Sequence, residues 1–242
     1  MRVAVVSDVH SNLHALEAVL ADVDAAGVDE VWCLGDVVGY GPRPNECVAR
    51  LRERAAICLA GNHDLVVAGR IPIAAFAGDA AAAARWTQGV LDGDARSFLE
   101  SIEPSGERAG VALYHGSARD HVWEYVLSAD VAKATLALTD AQLVLVGHSH
   151  VALELELTEA GTRGGGAPDG TRLALAGVRR LLNPGSVGQP RDGDPRAAWL
   201  EIDNTSGWAT FRRTEYPVER TQAEMRDAGL PEVLAARLEH GV

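Results

Sequence analysis

The amino-acid sequence predicts an α/β fold in which largely parallel strands are followed by antiparallel ones. Up to residue 150, short runs of β-forming residues alternate with helix patterns, which is typical of strand–helix–strand units. Beyond that point the runs alternate apolar and polar residues, as antiparallel strands with one wet face do. The 242 residues are 47% hydrophobic, enough for one sizeable core, so we expect a single domain over residues 1–242.

Six predicted strands each end in polar residues. They are VAVVSDVH, EVWCLGD, AAICLAGNHD, VALYHGS, LVLVGHSH and RRLLNPGS. Between them, the apolar spacing of residues 13–23 predicts a helix with Ser11 or Asn12 as its N-cap. Pro44 suits the first position of a second helix. The Ala-rich stretch 73–102 predicts two helices divided near Gly89 or Gly93, and residues 131–138 predict a short one.

The second part of the chain predicts further strands and a helical tail. The strand patterns are VALELEL, TRLALAG, AAWLEID and WATFRRTEY. The first two are joined by EAGTRGGGAPDG, which we interpret as a flexible hairpin tip. It lacks the GK[ST] ending and the following helix of a phosphate-binding loop. Residues 218–240 predict a helical tail with a break near residues 229–231.

Charge, cysteine content and hydropathy narrow the class of protein. The net charge of −12 makes the surface repel nucleic acids and anionic membranes, so we expect no stable nucleic-acid binding and no membrane association. No apolar run approaches the ~20 residues of a membrane-spanning helix, and Met1 leads into a strand pattern rather than a signal peptide. Cys33, Cys47 and Cys58 have no CxxC spacing and predict reduced thiols. These features together predict a cytoplasmic protein.

The polar strand ends carry residue types that bind metals or transfer protons. Because parallel strands of one sheet present their carboxyl ends along a common edge, we expect these side chains to lie close together. Residues two apart in a strand point the same way, so the pairs Asp8/His10 and His148/His150 should each face one site. The candidate ligands are Asp8, His10, Asp36, Asn62, His115, His148 and His150. Imidazole with carboxylate suits Mn, Fe, Zn, Ni or Co, and the number of candidates predicts two ions that share a carboxylate.

Glycines precede several candidate ligands. Gly35, Gly61 and Gly147 each stand directly before a proposed ligand. Because glycine has no Cβ, it lets the backbone turn sharply and approach an ion closely.

Taken in order, the strand-end motifs resemble the calcineurin-like metallophosphoesterase family. The motifs are D-x-H (Asp8, His10), G-D (Gly35, Asp36), G-N-H-D (Gly61–Asp64), H-G (His115, Gly116) and G-H-x-H (Gly147–His150). The stretches GDVVGYGP and NPGSVGQPR are similar to those of small bacterial phosphodiesterase-type members. The resemblance implies a four-layer αββα β-sandwich of mixed sheets flanked by helices.

The same resemblance implies a role for each candidate residue. Asp8, His10 and His150 would bind one ion, Asn62, His115 and His148 the other, and Asp36 would bridge both, with manganese the preferred metal. A metal-bridging hydroxide would attack the phosphate, with Asp36 and His63 as the catalytic residues.

The substrate contacts come from loop position rather than from the resemblance. Tyr40 and Arg191 lie after strand ends or in loops near the site and, with Asn62, are the expected contacts, while Arg43 and Arg119 are further candidates.

One position departs from the family pattern. Many members read G-D-x-x-D, where the second acid orients the histidine of G-N-H, but here that position is Gly39. Asp64 and Asp192 are the candidates to orient His63 instead.

The expected activity is hydrolysis of a small phosphate ester, a diester in preference to a monoester. A protein phosphatase, a dinucleoside polyphosphate hydrolase and a non-catalytic metal-binding scaffold of the same fold remain as alternatives. The presence of His63 and Asp36 favours an enzyme over a scaffold. A Rossmann nucleotide-binding module would need a G-x-G-x-x-G motif after the first strand, which this chain lacks. The sequence leaves the oligomeric state open.

Overall fold

The protein alternates strands and helices in its first half and is mostly strands in its second. The structure, a computed structural model, describes residues 1–159 and 161–242. The strands are β1 (Arg2–Val6), β2 (Glu30–Cys33), β3 (Ala55–Cys58), β4 (Ser105–Arg108), β5 (Val111–Tyr114), β6 (Leu143–Val146), β7 (Ala152–Thr158), β8 (Gly161–Gly166), β9 (Arg172–Ala174), β10 (Arg179–Pro184), β11 (Ala197–Asp203) and β12 (Trp208–Thr214).

The helices of the described residues surround these strands. They are α1 (Leu13–Ala26), α2 (Pro44–Arg54), α3 (Asn62–Val67), α4 (Gly78–Val90), α5 (Gly93–Ser101), α6 (Ala129–Leu136), α7 (Val218–Asp227) and α8 (Glu232–Ala236), with 3₁₀ turns at Ile73–Ala75 and Arg237–Glu239. None of these helices has the length and apolar character needed to cross a bilayer.

The strands form two mixed sheets of six strands each, and helices flank both. The first sheet has the order β3-β2-β1-β11-β12-β9 and the second the order β4-β5-β6-β10-β7-β8. Within them, β1, β2 and β3 run parallel, as do β5, β6 and β10, while the other pairings are antiparallel. This arrangement confirms the αββα sandwich that the family resemblance implies.

Strand β1 shows why the sheets sit in the middle of the molecule. Val3 and Val5 are buried in the core between the two sheets, whereas Ala4 and Val6 are buried under the helices of the first sheet. A strand covered on both faces must be apolar at every position, as β1 is from residue 3 onward. On the outer face of the second sheet, α6 covers a smaller core of its own.

Helix α1 begins where the sequence predicts and continues past residue 23 to Ala26. The Asn12 side chain accepts a hydrogen bond from the backbone of Ala15 at 3.2 Å and caps the first turn. Gly27 ends the helix with φ = 64°, a left-handed conformation that costs glycine little.

The glycine-rich segment differs from the expected hairpin tip, because β8 is a regular strand. It pairs antiparallel with β7, from Thr158 opposite Gly161 to Leu153 opposite Gly166. Pairing with a long neighbour overrides the poor strand propensity of glycine. The predicted partner of β7, TRLALAG, instead supplies β9 at the edge of the other sheet. Ala160 lies outside the described residues.

The helical tail packs against the body of the protein. Its buried residues Met225, Leu234 and Leu238 form an apolar cluster with Ala83 of α4, and Tyr40 packs against that cluster. The break predicted near residues 229–231 separates α7 from α8. The tail therefore lies behind one of the expected substrate contacts.

Candidate metal centre

The polar strand ends meet at one end of the sandwich, but they come from two sheets rather than the single sheet that the sequence suggested. Backbone hydrogen bonds join the segments: Asp8 donates to the carbonyl of Gly35, and Gly147 to that of His115, both at 2.9 Å. Gly188, after β10, donates to the carbonyl of Asp8 at 3.0 Å. The segments after β1, β2, β5, β6 and β10 are thereby held against one another.

Most of the candidate ligands have an unusual backbone conformation. Positive φ angles occur at Asp8 (53°), His10 (48°), Asp36 (53°), His148 (65°) and His150 (59°). Such angles are uncommon outside glycine and cost about 1–3 kcal/mol each, so they persist where the surroundings impose them. All five residues lie beyond the last residues of β1, β2 and β6. Their convergence therefore comes from tight left-handed turns. The prediction that alternation along a strand aims Asp8/His10 and His148/His150 at one site was wrong.

Glycine is required where these turns touch. A Cβ on Gly61 would lie 2.0 Å from Asp36 Oδ1, and one on Gly35 would lie 2.7 Å from the backbone nitrogen of Gly61. Gly35 also has φ = 101°, which a side chain would strain. These glycines permit close approach to other residues of the site, and their close approach to an ion is still a prediction.

The first group of candidate ligands contains Asp8, His10, Asp36 and His150. Their ligand atoms all lie within 4.8 Å of one another, and all four side chains are buried. His10 Nε2 is 3.0 Å from His150 Nε2 and 3.6 Å from Asp36 Oδ2. His150 Nε2 is 3.4 Å from Asp8 Oδ1. This geometry could hold a metal ion.

A second group shares the Asp36 carboxylate with the first. It contains Asp36, His115 and His148, again with ligand atoms within 4.8 Å. His115 Nε2 lies 3.6 Å from Asp36 Oδ2 and 3.2 Å from Asn62 Oδ1. All seven predicted ligands are thus brought together, with Asp36 between two subsets.

The four histidines of these groups are oriented by backbone carbonyls. The contacts are His10 Nδ1 with Val38 (3.1 Å), His115 Nδ1 with Leu34 (2.9 Å), His150 Nδ1 with Gln189 (2.6 Å) and His148 Nε2 with Trp123 (3.2 Å). A carbonyl oxygen only accepts, so these partners assign the ring proton to the nitrogen that faces them. The other nitrogen of each ring then directs a lone pair into the site, as in metal-bound histidines.

This assignment leaves acceptors facing acceptors. The lone pairs of His10 Nε2 and His150 Nε2 oppose each other at 3.0 Å, and His115 Nε2 opposes the amide oxygen of Asn62 at 3.2 Å. Asp8 Oδ1 is buried and accepts no hydrogen bond from the described residues. Buried acceptors of this kind are costly unless a cation lies between them. The donor set therefore fits divalent metal ions.

Burial shifts the pKa values of the same groups. It raises the pKa of Asp8 to about 7. The pKa of Asp36 rises well above its usual range through burial and then through the charges of Asp64 and Asp8. Burial lowers the pKa of His148 to about 4, and that of His115 falls well below its ordinary value for the same reason. The imidazoles are therefore neutral, the form in which they bind a metal, and the carboxylates are removed from water.

His63 stands beside the metal-ligand groups without an orienting acid. Its ring packs between Tyr40 and Phe76, with centroid distances of 4.3 and 4.5 Å, and its Nδ1 has no hydrogen-bond partner in the described part of the chain. Asp64 instead accepts hydrogen bonds from three backbone N–H groups. Asp192 pairs with an arginine of β12. Neither proposed acid orients His63; aromatic packing holds it.

Gly39 occupies the position of the missing acid and lies directly against the His63 ring. A Cβ on Gly39 would lie 2.4 Å from His63 Nδ1, and the residue has φ = 92°. The position at which family members carry the second acid is therefore pressed against the imidazole in this chain.

The ligand groups open into a cleft of about 210 Å³. Its walls include the predicted residues Asp36, Tyr40, Asn62, His63, His148, His150 and Arg191, together with Phe76, Ala80, Trp123 and Tyr125. The aromatic residues of positions 76, 123 and 125 were missed, because single aromatics outside a periodic pattern give no signal in the sequence.

The predicted arginines divide into two kinds. Arg191 lines the cleft, donates to the Gln189 side chain at 2.7 Å, and has no carboxylate partner among the described residues. Arg43 is paired with Glu224 at 2.7 Å. Arg119 is paired with an acidic side chain of its own loop. The Arg191 guanidinium is thus available to pair with an anionic ligand. The other two arginines form ion pairs and do not line the cleft.

Comparisons with known proteins identify the family of the chain. Residues 1–205 match the model of the calcineurin-like phosphoesterase superfamily domain. An uncharacterized protein of Methanocaldococcus jannaschii is 35% identical over 248 residues, covering 98% of this chain and 96% of the relative. The crystal structure of a metallophosphoesterase from Sphaerobacter thermophilus covers 100% of both chains with 43% identity and a TM-score of 0.90.

A more distant structure shares the fold. A hypothetical protein from Pyrococcus horikoshii is 20% identical, with a TM-score of 0.82 over 100% of this chain and 98% of its own. With the family model spanning residues 1–205 and the buried Asp/His groups in place, the chain belongs to the calcineurin-like phosphoesterase superfamily.

Proposed function

We propose that the protein is a phosphodiesterase that hydrolyses small phosphate esters with two divalent cations in the centre. The observation that carries the proposal is the pair of ligand groups that share Asp36, with acceptors facing acceptors in each. Asp8, His10 and His150 would hold one cation, and Asn62, His115 and His148 the other. Mn²⁺ is the preferred metal, because mixed imidazole and carboxylate ligands suit it, although they also suit Fe, Zn, Ni and Co.

The side chains of the cleft have separate tasks. When bound, the cations would lower the pKa of water and neutralise the phosphate charge. Asp36 holds both subsets together. His63 lines the cleft and is neutral because burial lowers its pKa, so its ring N–H can donate to a phosphate or leaving-group oxygen. Arg191 and the Asn62 amide contribute further polar contacts to the ester, and Tyr40 supports the ring of His63.

The preference for a diester rests on the likeness of GDVVGYGP and NPGSVGQPR to small phosphodiesterase-type members. The charge of the cleft favours an anionic ester in general. Arg191 is the one cationic side chain among the lining residues of the cleft that the structure describes. Together with two divalent cations, Arg191 would outweigh the negative charge of Asp8 and Asp36, so the loaded cleft would attract an anionic phosphate ester. The acidic protein, with a net charge of −12, requires this local positive charge to bind any phosphate.

The experiment is reconstitution of the metal-free protein. After chelation, the protein is reloaded separately with Mn²⁺, Fe²⁺, Zn²⁺, Ni²⁺ or Co²⁺, and hydrolysis of bis-p-nitrophenyl phosphate is compared with that of p-nitrophenyl phosphate. We expect Mn²⁺ to restore activity and the diester to be preferred. Preference for p-nitrophenyl phosphate would make the protein a monoesterase, and no hydrolysis with any metal would favour a non-catalytic scaffold.

The setting proposed for this activity is the cytoplasm. The three cysteines are free thiols, two of them buried and Cys58 half-buried, which suits a reducing compartment. A small phosphate ester is the proposed partner, without stable nucleic-acid binding, because the surface charge opposes a large polyanion.

A further inference from the structure

The loop between β5 and α6 exposes two large aromatic side chains at the cleft. Trp123 is 38% exposed and Tyr125 is 46% exposed, and both line the cleft. Large aromatic side chains normally lose most of their exposure on folding, so adjacent exposed ones beside a binding cleft point to a ligand.

The loop is fixed in place rather than free. The Asp120 carboxylate accepts hydrogen bonds from the backbone N–H groups of Val122 and Trp123, both at 3.0 Å. Glu124 accepts hydrogen bonds from Ser117 and Arg119 of the same loop. A loop tied down at several points presents its aromatic rings in a defined position, which lowers the entropy lost when a ligand stacks on them.

The aromatic rings are also tied to the candidate metal ligands. The Tyr125 ring stacks on the His148 imidazole with a centroid distance of 4.1 Å and an interplanar angle of 3°. The Trp123 carbonyl accepts a hydrogen bond from the same imidazole at 3.2 Å. Phe76 contacts Trp123 edge to face at 5.9 Å and the His63 ring at 4.5 Å. The aromatic surface therefore borders the position of the reacting phosphate.

We propose that Trp123, Tyr125 and Phe76 form an aromatic platform on which a flat heteroaromatic group of the ester stacks, so that the substrates are phosphodiesters of nucleosides. This inference rests on the proposed function, since the reacting phosphate must occupy the adjacent metal centre. Base stacking on aromatic side chains needs no hydrogen-bond code, because every nucleobase offers a π face. An aliphatic ester such as a glycerol phosphodiester would leave the platform uncovered.

The test compares two ligands that differ only in the base. Calorimetry gives the dissociation constants of adenosine 5′-monophosphate and ribose 5-phosphate for the Mn²⁺-loaded protein. We expect adenosine 5′-monophosphate to bind about tenfold more tightly, which corresponds to the stacking of one base. Trp123→Ala, which keeps the backbone carbonyl that orients His148, should remove most of that preference and leave ribose 5-phosphate binding unchanged. Trp123→Phe should retain it.

Trp208→Ala is the matched control, because Trp208 is 36% exposed but lies on β12 and lines a different surface. Equal affinity for the two ligands in the wild-type protein, or an unchanged preference in both Trp123→Ala and Tyr125→Ala, would overturn the platform. So would a loss of Mn²⁺ and of ribose 5-phosphate binding in Trp123→Ala, which would mean that the loop acts only through His148.

A kinetic arm separates this inference from the proposed function. Thymidine 5′-(p-nitrophenyl phosphate) and ethyl p-nitrophenyl phosphate have the same leaving group, and the first should have a kcat/KM about tenfold higher. Equal rates would refute the platform while the phosphodiesterase activity stands. If neither ester is hydrolysed, the proposed activity fails, and the binding comparison still decides whether the platform binds a base.

Discussion

Two clusters of charged side chains in this protein have opposite designs. In the metal centre, lone pairs of histidines and carboxylates face one another across 3.0–3.6 Å. On β10 and β7, in contrast, Arg180 lies between Glu154 and Glu156 with N–O distances of 2.9 and 2.8 Å. The same arginine donates through Nε to the carbonyl of Ala174 at 3.0 Å. In this Arg180 cluster, each hydrogen-bond donor faces an acceptor.

Polar groups that support the fold have their hydrogen-bond and charge partners within the protein, whereas groups that bind a ligand lack such partners until the ligand is present. The Arg180 cluster has its counter-charges within the protein and needs nothing more. The metal centre has a surplus of acceptors, and its carboxylates have raised pKa values because burial removes them from water. Removing one charge should therefore weaken the first cluster and relieve the second.

The largest expected effect is on activity, through Asp36→Asn. Loss of a second-shell partner alone typically costs a metal site 10–100-fold, so loss of the carboxylate shared by both groups should lower hydrolysis of bis-p-nitrophenyl phosphate by more than about 100-fold. Elemental analysis should show reduced metal content. The melting temperature of the metal-free variant should be no lower than that of the metal-free parent, because the variant lacks one buried charge. A destabilised metal-free variant would mean that Asp36 stabilises the fold, as the Arg180 cluster does.

His63→Gln should lower turnover about 100-fold while the metal content stays constant. The imidazole lines the cleft but holds none of the short contacts that join the two ligand groups. Rate measurements and elemental analysis of the same samples distinguish a loss of turnover from a loss of metal. Joint loss of metal and turnover would mean that His63 has been assigned the wrong role.

Arg180→Ala should lower the free energy of unfolding by about 2 kcal/mol, because two carboxylates would lose their shared counter-charge. Urea denaturation of the metal-free protein measures this. Activity per metal-loaded molecule should be unchanged, since the cluster lies outside the cleft. A triple variant, Arg180→Met with Glu154→Gln and Glu156→Gln, should recover most of the stability; a further loss would mean that the ion pairs themselves are needed.

The smallest effect concerns acid stability. The hydrogen bonds from Arg108 lower the pKa of Glu30 from 4.5 to about 2. A lowered carboxyl pKa stabilises the fold above the unfolded value and loses that contribution as pH falls from 4.5 towards 2. The pair is partly exposed, so Glu30→Gln should cost less than about 1 kcal/mol at neutral pH. Denaturant titrations should show that the difference in free energy of unfolding between variant and wild type shrinks towards pH ~3. A difference that does not change with pH would mean that Glu30 stabilises the fold through packing.

Much of the fold and the membership of the site follow from local sequence features. The apolar β1 and the capped α1 have clear patterns, because burial on both faces and capping are local requirements. The order of the strand-end motifs was enough to identify the residues that meet in the centre. Whether each binds its assigned ion is still a prediction.

Other features depended on tertiary context. The strand β8 is rich in glycine, and only its pairing with β7 makes it a strand. The strand-period argument failed for His10 and His150, because both follow left-handed turns that neighbouring segments impose. The aromatic residues of the cleft come from separate loops, and their proximity exists only after folding.

The position of Tyr40 links the last residues of the chain to the chemistry. Tyr40 contacts the rings of His10 and His63 on one side and packs on the tail cluster of Met225 and Leu238 on the other. Every candidate metal ligand lies at or before residue 150, yet the rings beside the centre rest on a cluster from the C-terminal helices. Loss of that cluster would leave Tyr40, and with it the rings of His10 and His63, without support on one side.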